Sequence, residues 1–264
     1  MKVTPRYFLG AALVAVAALA LVPTVPAQAE LVGLWEFENG GGLTSATIGA
    51  DLALTGSEAA VAGSGNGADA GASQLAVGDY YTVTHGIGAN GGGSCCTNEF
   101  TILWDVMYPA ASAGSWKTLW QTAQPNNNDG DLFIRPSGPQ GAIGTGDTGY
   151  SANTTSADTW YRIVASVDSG SHFRVYVNGN EWLDGVAQPV DGRFSLDPTF
   201  HVFADNDGDD ALMNLSNLAI WDTALDANAV GALGGAGRAI PVPEPAALLM
   251  ALLAMAGAFG FRRR

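Results

Sequence analysis

The chain has 264 residues, 35 of them glycine, and 14% charged side chains, a length that allows one or two domains. With the two terminal signals set aside, the body keeps six basic against 24 acidic residues, a net charge of −18. Such a surface excludes nucleic acid, whose phosphates need a basic patch, and suits divalent cations or neutral polymers.

The first 29 residues carry Lys2 and Arg6, then "FLGAALVAVAALALV", then "AQA" before Glu30. This is the pattern of a secretory signal peptide cleaved after Ala29. Strand signals follow at 31–38, 79–85, 99–108, 116–122, 131–135, 160–168, 172–179, 199–205 and 212–222, rich in β-branched and aromatic residues. In "HFRVYVNG", Phe173, Val175 and Val177 share one face and Arg174, Tyr176 and Asn178 the other. In "WYRIVASVD", Tyr161, Ile163, Ala165 and Val167 oppose Arg162 and Ser166. Turn dipeptides between the runs point to antiparallel hairpins.

The Ala-, Gly- and Ser-rich stretch 56–73 reads as a long surface loop; its "GSGNG" lacks the strand, helix and lysine of a phosphate loop. Cys95 and Cys96 are adjacent. They leave open a vicinal disulfide, two free thiols or pairing with another chain. One helix is expected over 226–233, capped by Asp226 and closed by glycines. No helical period recurs between strands, so the sequence predicts an all-β fold: a two-sheet antiparallel jelly-roll sandwich over 30–237, with a linker at 238–242.

Three segments carry a family resemblance: "GLWEFEN", "TWYRIVASVDSGSHFRVYVNG" and "LSNLAIWDTALDANAVGALGG". With Trp160 opening a strand and Tyr176 leading to Gly179, they resemble the laminin G-like, concanavalin A-like domain. "THGIGANGGG", "DGRFSL" and "FADNDGDD" are similar to a bacterial subgroup found in exported, surface-sorted proteins. At 243–264, Pro243, Glu244 and Pro245 precede an apolar run at 246–261 and then Arg262, Arg263 and Arg264. This resembles the PEP-CTERM sorting signal of Gram-negative bacteria. The resemblance implies an exosortase-type partner, an inner-membrane precursor and release to the cell surface or matrix. The sixteen-residue run spans about 24 Å as a helix, short but usable as a transmembrane segment.

The glycoside hydrolases of this sandwich place Glu-x-Asp-x-x-Glu on one strand, and that pattern is absent here. Glu36 and Glu38 share a face but lack the third carboxylate, and His85, His172 and His201 stand apart. The chain is therefore expected not to be an enzyme. In "HVFADNDGDDALMN", the EF-hand register puts Phe203 at position one and Asn214 at position twelve, which fails. A rim Ca²⁺ site is expected instead from Asp205, Asp207 and Asp209, completed by Asp129 and Asp131 in the oxygen-rich loop 126–131; a solvated acidic turn is the alternative. Trp116, Trp120 and Trp182 are candidate sugar-stacking residues, with Trp182, read as lying in a turn, the best exposed. The expected function is a surface-sorted binding module for a glycan or surface protein. The alternatives are a structural matrix protein without a discrete ligand, or a degenerate hydrolase.

Overall fold

The structure, a computed structural model, describes residues 29–37, 42–65, 71–124, 128–205 and 208–242. The expected signal peptide apart from Ala29, together with Glu38, Asn126, Asp207, and the tail with Pro243, Glu244, Pro245, Arg262, Arg263 and Arg264, lies outside the described residues.

The described chain forms two packed sheets. The larger contains β1 (Leu31–Trp35), β3 (Glu58–Ala62), β4 (Gly71–Leu75), β6 (Glu99–Met107), β11 (Tyr161–Asp168), β12 (His172–Val177), β13 (Asn180–Gly185) and β15 (Met213–Trp221). The smaller contains β2 (Ala53–Thr55), β5 (Tyr80–Thr84), β7 (Lys117–Gln121), β8 (Asp131–Ile134), β9 (Ile143–Thr145), β10 (Gly149–Tyr150) and β14 (Thr199–Val202). The larger sheet runs β13-β12-β11-β6-β15, and the far side of β15 is shared by β4 and β1, with β3 beyond β4. The smaller runs β10-β9-β8-β7-β14-β5-β2. Adjacent strands are antiparallel, and α1 (Ala227–Leu233) is the one α-helix among the described residues. This is the predicted jelly-roll sandwich.

Alternation explains the layers. Ile163, Ala165, Val167, Phe173, Val175 and Val177 point between the sheets and meet Val83, Leu119, Trp120, Ile134 and Phe200 from the smaller one. Each such buried aliphatic contributes roughly 1.5–3 kcal/mol. On the opposite face, Arg162 and Ser166 of β11 and Tyr176 of β12 are buried as well, while Arg174 stays half-exposed. Leu103, Val164, Tyr176, Ala219 and Trp221 are covered by Val230 and Leu233 of α1 and by Ile240.

Arg162 lies fully buried under this cover, paired with Asp105 through Nε (2.8 Å) and Nη2 (2.7 Å). Asn217 Nδ2 donates to the same carboxylate at 2.9 Å. A buried ion pair needs its remaining polar atoms satisfied; the backbone carbonyls of Leu233 and Arg238 do this for Arg162.

The stretch 56–73 departs from expectation, since β3 and β4 occupy much of it. Its small side chains lack a strand signal, but Gly71, Ala72 and Ser73 are buried and β4 adds to the edge of β15. Glu58 and Ser73 also bond the buried Tyr81 hydroxyl of the smaller sheet, tying the hairpin across the sandwich. Burial and the Glu58 hydrogen bond push the Tyr81 phenol well above its ordinary value.

Candidate functional site

The outward face of the smaller sheet gathers polar and aromatic side chains in two ranks set by strand register. Thr82, His201, Gln121 and Asp131 lie opposite one another across β5, β14, β7 and β8. Thr118, Phe133, Gly144 and Tyr150 form the second rank across β7, β8, β9 and β10. Gly144 is required there, because a Cβ on it meets the Gly149 carbonyl oxygen at 1.9 Å. Along this face Tyr80 meets His201 edge-on (4.6 Å between centroids), Trp116 meets Phe133 (5.3 Å), and the Arg135 guanidinium stacks on Tyr150 (4.2 Å).

The acidic loop lies over these ranks. Phe203, at φ 66°, turns the chain at the end of β14 while its ring stays in the core. Beyond it, Thr118 Oγ1 donates to the Asp209 carbonyl (2.6 Å), and Gly78 N donates to Asp210 Oδ2 (2.5 Å). Between loop and sheet is a pocket of about 130 Å³ lined by Gly78, Tyr80, Gln121, Gln124, His201, Ala204, Asp205 and Asp210. His201 is only 8% exposed, shares a hydrogen bond with Thr82 Oγ1 through Nδ1 (3.0 Å), and borders the pocket. Burial lowers its pKa, keeping the ring neutral near pH 7. The pocket thus offers amide, imidazole and carboxylate groups beside an aromatic ring.

The expected metal ligands do not gather among the described residues. Asp205 borders the pocket, Asp131 sits opposite Gln121, Asp209 lies beside Thr118, and Asp129 is buried with its carbonyl accepting from Arg193 Nε (2.7 Å). Among the described residues, only Cys95, Cys96 and Asp191 form a group of three potential ligands within 4.8 Å of one another. There the two sulfurs are joined as a vicinal disulfide, which settles the cysteine alternatives and removes the thiolates a metal needs. Asp191 accepts from Ser94 N (2.8 Å) and Asn98 Nδ2 (2.8 Å), and these bonds, Asn98 first, hold its carboxyl down at about 2.

The tryptophans divide differently from expectation. Trp182 is not in a turn: it lies within β13, half-buried against Tyr161 at 6.3 Å and away from the pocket. Trp120 is fully buried core, with Leu119 and Trp120 both turned inward by a bulge in the β7–β8 pairing. Trp116 alone of the three candidates lies on the outward face. Glu36 is half-exposed just after β1 and accepts from Thr47 Oγ1 (2.7 Å). Tyr80 and His201 were legible as outward residues from alternation, but their meeting with Gln121 depends on strand order.

The model of the concanavalin A-like lectin/glucanases superfamily matches residues 78–231, and that of the PEP-CTERM protein-sorting motif matches 241–264. The second match implies export, exosortase processing and surface sorting in a Gram-negative bacterium. No curated protein matches the chain. Among solved structures, it is similar to domain 4 of an extracellular arabinanase from Geobacillus stearothermophilus in complex with arabinotriose. That match has 18% identity and a TM-score of 0.55, covering 78% of this chain and 99% of that one. The Trypanosoma rangeli sialidase matches at 15% identity and TM-score 0.55, over 77% of this chain and 32% of that one. A structure of botulinum neurotoxin type C, whose cell entry depends on two ganglioside molecules, matches at 14% and 0.50, over 78% and 50%. At these identities the likeness is one of fold. No helix among the described residues is long and apolar enough to cross a membrane, and the expected transmembrane run lies outside them. A jelly roll with this strand order, matched by its family model over more than half its length, is a member of the concanavalin A-like lectin/glucanase superfamily carrying a C-terminal sorting motif.

Proposed function

We propose that the protein is a non-catalytic, surface-sorted recognition module that holds a neutral glycan across the outward face of the smaller sheet. The observation that carries this reading is the pocket bordered by Tyr80, Gln121, Gln124, His201, Asp205 and Asp210, with Phe133 and Tyr150, and Trp116 against Phe133, farther along the same sheet face. Aromatic faces pack on sugar C–H groups, while amides and carboxylates accept from sugar hydroxyls. The net charge of −18 on the body repels acidic polysaccharides. The arabinotriose-bound domain and the ganglioside-dependent neurotoxin are similar in fold and support a sugar ligand. The missing Glu-x-Asp-x-x-Glu strand pattern supports binding without hydrolysis.

A glycan array read with and without chelator tests the reading. Tyr80→Ala and Trp116→Ala are expected to weaken binding about three- to tenfold each. Silence on every glycan favours the structural-matrix alternative, and unchanged binding by both variants sinks the assigned face. A rim calcium drawn from Asp205, Asp207, Asp209, Asp129 and Asp131 remains a proposal of the acidic sequence. A Ca²⁺-dependent rise in Tm, lost on Asp205→Asn with Asp209→Asn, supports it, and an unchanged Tm removes it. For the tail, we place the precursor in the inner membrane until cleavage near Pro243, Glu244 and Pro245. Pro243→Ala and Glu244→Ala precursors accumulate there on this reading, and their unchanged release contradicts it.

A further inference from the structure

The chain does not leave the sandwich freely after α1. Arg162 Nη1 donates to the Leu233 carbonyl (2.7 Å) and Nη2 to the Arg238 carbonyl (2.6 Å), while the same guanidinium holds Asp105. Ile240 is buried, 6% exposed, in one cluster with Leu31, Leu34, Trp221, Val230 and Leu233. The clamp draws on β6, β11 and β15, so it is complete only when the larger sheet is complete. Immediately beyond, Pro241 and Val242 are exposed and the matched sorting motif begins. At the other end, Ala29 packs on the same cluster, Glu30 N donates to Asp222 Oδ1 (2.8 Å), and Asp222 N donates to the Glu30 carbonyl (3.1 Å). Both ends of the body therefore meet the outer side of the larger sheet, opposite the glycan pocket.

Only two residues separate Ile240 from Pro243, a span of at most roughly 11 Å in extended chain. A processing enzyme grips its substrate as extended backbone on both sides of the scissile bond. With the sandwich holding the chain up to Ile240, enzyme and domain compete for the same residues. We propose that 233–240 is a docked strap, clamped by Arg162 and Ile240, whose release limits cleavage at the sorting motif. The inference rests on processing at that motif.

Pulse–chase of the full-length chain in a host with its membrane processing enzyme tests the strap through two variants. Ile240→Ser removes the buried side chain and leaves every strand intact, shifting a docking equilibrium by roughly tenfold or more. A six-residue Gly-Ser insertion after Ile240 leaves the strap docked but lengthens the path to the motif by up to about 20 Å. Both are expected to shorten the precursor half-life, Ile240→Ser by about fivefold or more. Trypsin cleavage after Arg238 in the isolated full-length chain is expected to accelerate in Ile240→Ser. Processing of either variant at or below the wild-type rate overturns the strap alone. A wild-type chain that is never shortened overturns the processing reading and the strap with it.

Discussion

At the scale of single residues, burial decides chemistry that composition leaves open. His85 donates from Nε2 to the Asp197 carbonyl (2.7 Å) and accepts from Ile87 N at Nδ1 (3.1 Å), so its neutral ring is fully used. Burial lowers its pKa from the ordinary 6.5, as it does for His201. Above pH 6.5 both folded and unfolded chains hold these rings neutral, and the stability is complete. As pH falls below that value the unfolded chain takes up protons first, so stability declines until the folded pKa values are passed. Tm is therefore expected to drop between pH 7 and pH 5, with a shallower drop in His85→Gln. The Asp105–Arg162 pair is a second such case: Asp105→Ala leaves a buried guanidinium charge without its partner. That change is expected to cost about 3–5 kcal/mol in chemical denaturation.

At the scale of elements, the strands with β-branched and aromatic alternation were legible, and so was α1, where the Asp226 side chain accepts from Ala229 N (2.8 Å) as expected of its N-cap. The β3–β4 hairpin was not legible, because "EAAVA" and "GASQL" carry small residues whose place in a sheet comes from close packing on β15. Among the described residues, Glu58 with Ser73 ties it to Tyr81 of the other sheet. Glu58→Ala is expected to destabilise the fold by about 1–3 kcal/mol. Hydrogen exchange is expected to show the loss of protection concentrated in 58–62 and 71–75; uniform loss across both sheets contradicts a local clasp. Trp182 was misread for a related reason: "NGNEWLDG" has turn composition, yet residues Asn180–Gly185 pair with β12 as an edge strand.

At the scale of the whole molecule, the body carries 24 acidic against six basic residues, so its compact state repels itself. Raising salt from about 10 mM to 150 mM contracts the Debye length from roughly 30 to 8 Å and is expected to raise Tm; a falling Tm shows that attractive pairs such as Arg193–Asp147 dominate instead. The sequence by itself determined the all-β class, the jelly-roll family and the sorting tail, because alternation, capping and processing signals are local and survive without a partner strand. It also determined the absence of the usual hydrolase strand pattern. Only the tertiary structure decided which polar residues meet. Strand order brings Tyr80, Gln121 and His201 to one pocket from three separate strands, buries Trp120, and closes Arg162 on a C-terminal segment more than seventy residues away. Those juxtapositions are long-range registers, and nothing in a one-dimensional period specifies them.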